Sequence, residues 1–297
     1  MRGKQFWLGR MAVVALGLAL SFRARATETE NLDLRALPAV KPMVVDGKTA
    51  DWDLSGGVFV CGDVEQQRET FAIWIHLAYD AERLYVLARW RDETPLNNPG
   101  SAKGDNGFNG DCLQFRAILN EGDEERQLPS HWTCWRDRDG LKAMDVHYGF
   151  FVPSGKKPPR PPAGVSDLKN ALDHGAEMEF AVDADGRGYV QEIAIPWKLL
   201  TSEGTPAPKA GERIGFTVEP NFTIGVNGRL TLKDIFRAGV PLDRMFTFSS
   251  PRTWGGAELV AKGNVTAQPV RLSDGRQFPV KMANGAPVAD WTDVIKR

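Results

Sequence analysis

The residues best suited to chemistry in this sequence are tryptophans with polar neighbours. The segment His131-Trp-Thr-Cys-Trp-Arg136 sets two indoles three residues apart, next to a guanidinium. An indole packs against the C–H face of a polyhydroxylated ring, and planar polar groups pair with the hydroxyls of that ring. We therefore predict that one of the two, Trp132 or Trp135, stacks on a ligand and that Arg136 donates hydrogen bonds to it, since residues three apart on a strand lie on opposite faces. The alternative is that one or both indoles pack in the core beside Cys134.

Alternation along predicted strands places a second group of polar side chains. In Phe71–Tyr79 the apolar residues at odd positions form one face, which leaves Trp74 and His76 on the other. The same reasoning on the neighbouring strands predicts one outer face, whose members are Trp74, His76, Arg89, Arg91, Gln114, Arg116, Glu192 and Glu219. Its predicted ligand-binding members are Trp74, Arg89, Arg91 and Gln114, and the alternative is a solvated face with cross-strand Arg–Glu pairs. Trp254, beside two glycines, is a further candidate for stacking, with core packing as its alternative.

An oxygen-rich loop, Asp105-Asn-Gly-Phe-Asn-Gly-Asp111, partly resembles a calcium-binding loop. Asp105, Asn109 and Asp111 are the candidate ligands of a structural Ca²⁺, because this ion prefers carboxylate and carbonyl oxygens. Gly107 occupies a position where a ligand is expected, and Arg116 stands where a bidentate glutamate belongs. A plain turn is therefore the better interpretation of this loop.

Haem b is the alternative cofactor, since non-covalent haem needs a well-placed pair of axial side chains. The candidate axial residues are Met144, Met178, His131, His147 and His174. Covalently attached haem is not expected, because the sequence has no CxxCH motif. The sequence also has no HExxH, GxSxG or phosphate-loop motif, so a stand-alone hydrolase is not expected either.

The elements that must position these residues are predominantly strands. Strands are predicted at 71–79, 84–91, 112–118, 143–152, 176–182, 189–195, 214–221, 245–248 and 257–261, with a further strand around Trp132. One short helix is predicted, at 197–200 after Pro196. This pattern predicts an all-β fold, an antiparallel β-sandwich of jelly-roll or immunoglobulin-like type with little helix. We interpret 27–263 as one domain with an inserted loop, Pro153–Pro162, and 264–297 as a terminal strand or tail.

The first 26 residues have the features of a signal peptide. A basic start precedes the apolar stretch Met11–Phe22, and Ala24-Arg-Ala26 offers a cleavage site. We predict a secreted or periplasmic protein cut after Ala26, with no membrane insertion of the mature chain. Loss of five basic residues changes the formal charge from −1 to about −6. The mature chain therefore has no basic cluster that would favour nucleic acid.

Three cysteines, Cys61, Cys112 and Cys134, occur in this exported chain. An oxidising compartment favours pairing of thiols, so one disulfide and one buried thiol are expected. The sequence leaves the pairing open.

A series of short segments resembles family 9 carbohydrate-binding modules and their relatives. The segments are, in order, Val45–Asp53 (VDGKTADWD), the hairpin ending at Arg91-Asp-Glu93, Gly110–Phe115 (GDCLQF), Tyr189–Trp197 (YVQEIAIPW), Gly211–Phe216 (GERIGF) and Trp254–Leu259 (WGGAEL). The resemblance spans about 43–262 and implies a β-sandwich, sugar binding by stacked aromatic rings and, in some members, a structural calcium. The wider group includes DOMON-like domains and the haem-binding subunits of ethylbenzene-dehydrogenase-type enzymes, so the fold transfers better than the ligand.

The sequence therefore predicts a secreted, non-catalytic protein that binds an oligo- or polysaccharide and is associated with glycan degradation through the resemblance. Two alternatives stay open. One is a periplasmic haem-b subunit of the electron-transfer type, and the other is a structural or partner-binding sandwich, including an accessory part of a glycoside hydrolase.

Overall fold

We describe the protein from a computed structural model, which defines residues 27–104, 106–119, 128–149, 167–201, 204–226, 228–240 and 250–294. The first strands are β1 Asp33–Pro38, β2 Val58–Cys61, β3 Phe71–Tyr79, β4 Arg83–Asp92, β5 Cys112–Ile118, β6 Ser130–Arg136, β7 Lys142–Tyr148 and β8 Asp167–Leu168. The remaining strands are β9 Glu177–Val182, β10 Gly188–Pro196, β11 Arg213–Ile224, β12 Gly228–Thr231, β13 Gly255–Leu259, β14 Val270–Arg271, β15 Gln277–Phe278, β16 Val280–Ala283 and β17 Ala286–Ala289.

Helical structure in the described part of the chain is short. It consists of one α-helix, α1 Val64–Gln67, and 3₁₀ turns at Leu54–Gly56, Gly107–Asn109, Ala171–His174, Trp197–Leu199 and Pro251–Thr253. Within the residues described, no helix is long and apolar enough to cross a membrane. The all-β prediction with little helix is confirmed.

Thirteen strands form one hydrogen-bonded sheet. Its order is β8-β7-β6-β5-β11-β13-β1-β3-β4-β10-β9, with β12 added to β11 and β2 added to β3. The antiparallel prediction holds for most of the sheet, and the exception is β1, which pairs in parallel with both β13 and β3. A tight hairpin imposes antiparallel pairing only on strands that follow each other in the chain, and β1 is separated from both of its neighbours by other elements.

The sheet curls so that its two halves face each other as a sandwich. Apolar side chains from both halves form one core, as the period-two patterns predicted. The ring of Trp90 on β4 meets that of Phe222 on β11 at 4.9 Å between centroids. The side-chain amide of Gln191 on β10 donates to the carbonyl of Cys134 on β6 at 3.2 Å. These contacts join the two layers through the core.

The outer face of β2 and β3 is covered by the C-terminal part of the chain. The hairpins β14–β15 and β16–β17 pack there, with the ring of Trp291 between Phe59 and Phe278 at centroid distances of 5.4 and 5.2 Å. A loop before the first 3₁₀ turn covers the next part of the same face, where Trp52 and Leu54 pack on Leu87. Between these two covers, part of the outer face of β3, β4 and β10 stays accessible.

The cysteine prediction is wrong, because all three cysteines are buried free thiols. Cys112 pairs across the sheet with Trp135 and Cys134 pairs with Leu113, so the two thiols lie on opposite faces of β5 and β6. Side chains on opposite faces of adjacent strands cannot meet the geometry of a disulfide. Two other predicted segments, the strand 245–248 and the loop Pro153–Pro162, lie outside the described residues.

Candidate functional site

The accessible part of the outer face centres on Trp74 and Arg89. These residues are directly opposite each other on the antiparallel strands β3 and β4, and both side chains are half-buried. Arg91 follows two positions later on the same face, and Val190 on β10 lies opposite Arg89. Ala181 on β9 lies opposite Val190. We call this group of five half-buried residues, Trp74, Arg89, Arg91, Val190 and Ala181, the Trp74 surface.

The two arginines of the Trp74 surface differ in their partners. Arg91 forms ion pairs with Asp185 at 3.1 Å and Asp183 at 3.8 Å, both in the turn between β9 and β10. Arg89 forms no ion pair within the described residues, and its buried Nη1 has no hydrogen-bond acceptor there. Burial lowers the pKa of Arg89, and the charge of Asp183 opposes that shift only in part. A guanidinium therefore lies beside the indole with donors to spare.

Three predicted binding residues, Trp74, Arg89 and Arg91, thus lie together on accessible surface. Sequence reasoning missed Asp183 and Asp185, because the segment Asp183-Ala-Asp-Gly-Arg-Gly188 between two strands indicates only a turn. The register of the neighbouring strands could have identified them. This turn leads into β10, and Gly188 at its end is the cross-strand partner of Arg91, so the two aspartates lie next to that arginine.

His76 has the predicted outward orientation but is covered. Its imidazole is stacked near the ring of Trp74 at 6.3 Å and lies against the backbone of Gly57, where an added Cβ would come within 2.2 Å of the ring. Burial lowers the pKa of His76 to about 3, so the ring is neutral. It supports the position of Trp74 from beneath the covering loop.

The predicted single polar face is wrong for its second half. Gln114, Arg116 and Glu219 do point outward from β5 and β11, but all three are buried. Arg116 and Glu219 form a buried ion pair at 3.0 Å, and the amide of Gln114 donates to the hydroxyl of Thr133 at 3.1 Å. The alternation of residues along the strands correctly predicted which face these side chains lie on. It carries no information on whether other segments of the chain cover that face.

Glu192 is also buried, in a structural role. Its carboxylate accepts hydrogen bonds from the backbone amides of Asp46 and Gly47, both at 2.9 Å, and from the indole of Trp52 at 2.8 Å. It therefore anchors the covering loop to β10.

The tryptophans predicted to stack on a ligand are buried. Trp132 is stacked on Phe115 in the core at 5.6 Å, and its indole donates to the hydroxyl of Ser130. Trp135 points to the other face but is covered by the 3₁₀ turn at Gly107, where an added Cβ would lie 2.2 Å from its ring. Neither ring has an exposed face, so the structure contradicts the stacking platform at this segment and favours the core alternative. Arg136 is half-buried and donates to the carbonyl of Gly140 at 3.4 Å.

Trp254 is buried as well. It packs with Ile118 and Phe236 on the outside of the sheet, which corrects its assignment as a second stacking residue. Its alternative, packing beside the glycines of β13, is the one the structure adopts.

The candidate calcium ligands do not converge. Asp105 lies outside the described residues, Asn109 is exposed, and the buried carboxylate of Asp111 accepts from the amides of Asn97 and Thr223, both at 2.6 Å. In the described ranges, no group of three metal-ligating side chains occurs. Both oxygens of Asp111 hold backbone amides in place, which gives the calcium interpretation no support.

The candidate haem ligands are dispersed. Met144 and Met178 are buried in the core, where the amide of Gln191 donates to the sulfur of Met178 at 3.3 Å. His147 is paired with Asp167 on the opposite face of β7 from Met144. His131 lies 6.4 Å from His147, also on that outer face, and His174 ends a 3₁₀ turn. The pair Met144 and His147 cannot flank one haem iron in this arrangement.

Comparison with known proteins gives structural similarities. No protein-family model and no curated protein matches the sequence. A family 9 carbohydrate-binding module from Caldicellulosiruptor kristjanssonii in complex with cellotriose aligns at 16% identity, over 80% of this chain and 98% of the module, with a TM-score of 0.47. The glucose complex of a family 9 module from the same organism aligns at 14% identity over 79% and 97%, with a TM-score of 0.44.

Proposed function

We propose that this protein binds carbohydrate without catalysis, and that the Trp74 surface is its binding site. The observation that supports this most is Arg89, a mostly buried guanidinium with no ion pair in the described chain, placed directly opposite a half-buried indole. Partial burial of an unpaired charge costs stability, so a ligand that accepts its hydrogen bonds gives the best physical account of its presence.

The chemistry of the surface suits a neutral sugar. The accessible part of Trp74 offers an apolar plane for the C–H face of a pyranose ring, and the guanidinium of Arg89 donates to ring or exocyclic hydroxyls. Asp183 and Asp185 fix Arg91 and neutralise it, so that it serves as a second donor of defined direction. Val190 and Ala181 are small or apolar, which leaves room for a flat ring beside the arginines.

A glycan array of neutral oligosaccharides, followed by calorimetry on each binding sugar, tests this proposal. Trp74→Ala and Arg89→Met should each weaken binding at least about tenfold, because each removes a principal contact. Trp291→Ala is the matched control, since Trp291 is also a half-buried indole and packs on the same Phe59, but belongs to the C-terminal segment rather than to the Trp74 surface. Full binding by Trp74→Ala, or no glycan bound at all, would contradict the proposal.

An absorption spectrum of protein produced with haem supplied distinguishes the haem-b alternative from the carbohydrate proposal. A Soret band of near-stoichiometric strength would replace the carbohydrate proposal with the haem one. We further propose export with cleavage after Ala26, which the mass of the protein recovered from the periplasm or medium tests.

A further inference from the structure

A second concave site lies between the loop that contains Phe108 and the turn joining β11 to β12. It is a cleft of about 530 Å³, lined among others by Pro99, Phe108, Arg138, Thr223, Val226 and Arg229. It shares no residue with the Trp74 surface. Phe108 and Val226 are large apolar side chains that stay exposed here, at 38% and 89%. A concave site with exposed apolar rings and a few polar groups is the usual form of a small-ligand site.

Two arginines give the cleft its charge. Arg229 lies over the ring of Phe108, with its guanidinium carbon 5.9 Å from the ring centroid, and donates to the carbonyl of Phe108 at 2.7 Å. Arg138 is exposed at the tip of the turn after β6. Within the described residues neither arginine forms an ion pair. In a protein with a slight excess of acidic residues, two guanidinium groups that no carboxylate of the described chain pairs thus line one cleft.

The carboxyl groups nearby are used elsewhere or sit on the surface. Asp111 lies behind the cleft wall, where it accepts the amide of Thr223 at 2.6 Å. Burial and the neighbouring Asp92 raise the pKa of Asp111 to about 8, so its charge is reduced near neutral pH. Asp137 accepts the amides of Ala102, Asp139 and Leu141. Asp139 is exposed to solvent, which screens it.

We propose that this cleft is a second binding site, for an anionic sugar that carries a carboxylate or a sulfate group. The oxyanion accepts paired hydrogen bonds from Arg138 and Arg229, whose planar groups match its geometry. The sugar ring packs on Phe108, which Arg229 holds in place. That the ligand is a sugar rests on the proposed function. That it carries a negative charge rests only on the arginines of the cleft. Arg91 of the Trp74 surface is neutralised by Asp183 and Asp185, which leaves one guanidinium there, Arg89, without an ion pair in the described chain, against two in the cleft; the cleft should therefore favour an anion more strongly.

Binding of D-glucuronate, D-glucose 6-sulfate and D-glucose to the full mature protein tests this inference. At low salt at least one anionic sugar should bind about tenfold or more tightly than glucose, and added salt should reduce the difference. A preference for glucuronate identifies the carboxylate, and a preference for the 6-sulfate identifies the sulfate ester. Equal affinity for all three sugars would overturn the inference.

Variants separate the cleft from the Trp74 surface. Arg138→Gln and Arg229→Gln should each reduce binding of the anionic sugar about tenfold, and a melting temperature within the range of the parent shows that the fold is intact. Trp74→Ala should leave anionic-sugar binding unchanged even if neutral-sugar binding is lost. If Trp74→Ala abolishes anionic binding, or if both glutamine variants bind like the parent, no second site exists. If neutral sugars fail to bind but glucuronate binds through Arg229, the proposed function of the Trp74 surface fails and the cleft stands.

Discussion

Trp74 and Arg89 face each other directly across β3 and β4, and no other strand or loop separates the two side chains on the outer face. Phe59 packs on the other side of Trp74, with ring centroids 5.3 Å apart. The indole is therefore held between an aromatic ring and a guanidinium before any ligand arrives. Such a pre-formed pair loses little side-chain entropy on binding, which favours affinity.

Arg89→Met should separate binding from stability. Methionine keeps much of the arginine's volume and removes a mostly buried, unpaired charge, so the free energy of unfolding should stay within about 1 kcal/mol of the parent or rise. Carbohydrate affinity should fall at least about tenfold. Urea denaturation and calorimetry measure the two quantities.

Arg83→Met is the control for that substitution. Arg83 lies on the same face of the same strand but is paired with Glu177 at 2.5 Å, away from Trp74. It should leave carbohydrate affinity unchanged. Equal loss of affinity in both variants would mean that general charge, rather than Arg89, drives binding.

Glu192→Ala should loosen the loop that borders the Trp74 surface. Three donors, two of them buried, lose their acceptor, which should cost about 2–3 kcal/mol after partial hydration of the loop. Glu192→Gln keeps one acceptor oxygen and should cost less. Urea denaturation gives the energies, and faster hydrogen exchange of the Gly47 amide locates the change. Unaltered exchange at Gly47 in Glu192→Ala would show that other contacts hold the loop.

Asp92 and Asp111 should make stability fall with rising pH. Both carboxyl groups are buried, and burial, followed by the charge of Asp92, raises the pKa of Asp111 to about 8. A carboxyl with a raised folded-state pKa contributes stability that is fully present below its unfolded pKa, near 4, and is lost as pH rises towards 8. Melting temperature should therefore decline between pH 5 and pH 9.

Asp92→Asn should reduce that decline. The amide can donate to Asp111 and no longer repels it, so the variant should gain about 1–2 kcal/mol relative to the parent at pH 9 and less at pH 5. Asp234, whose pKa burial raises to about 7, titrates in both proteins and cancels in the comparison. Parallel melting curves across this pH range would rule out coupling between the two aspartates.

Trp132→Ala should mainly reduce stability, whereas Trp74→Ala should mainly reduce carbohydrate affinity. Trp132 is fully enclosed and stacked on Phe115, so its removal should cost about 3–5 kcal/mol of unfolding free energy. The folded fraction should still bind carbohydrate with the parent's affinity. Trp74→Ala should lose binding with a smaller loss of stability, because its side chain is only half-buried. Thermal denaturation and calorimetry on the same samples decide between the two roles.

Strand parity was predictable from the sequence to a large extent. Ile73, Ile75 and Leu77 lie in the core, and Trp74 and Arg89 point outward, as alternation of apolar and polar residues indicated. This works because the two faces of a strand are fixed by its period of two residues. The strands β1 and β2 were missed. β2 (VFVC) is only four residues long and wholly apolar, and β1 (DLRALP) has no strict alternation of polar and apolar residues.

The choice among outward residues was not predictable. Trp135 and Gln114 have the same parity relation to the sheet as Trp74, yet both are buried. Their burial depends on the 3₁₀ turn at Gly107 and on contacts between residues distant in sequence, such as that of Gln114 with Thr133. A tryptophan on the outward face of a strand therefore looks the same in sequence whether its ring is covered or accessible.

By itself the sequence determined the all-β class, the position of most strands and the face on which each of their side chains lies, because these follow from local alternation and turn chemistry. The tertiary structure decided which parts of that face are covered, that β1 is parallel to its neighbours, that the cysteines stay apart, and that Phe108, Arg138 and Arg229 line one cleft. These properties depend on contacts between residues far apart in the chain, and local pattern does not encode such contacts.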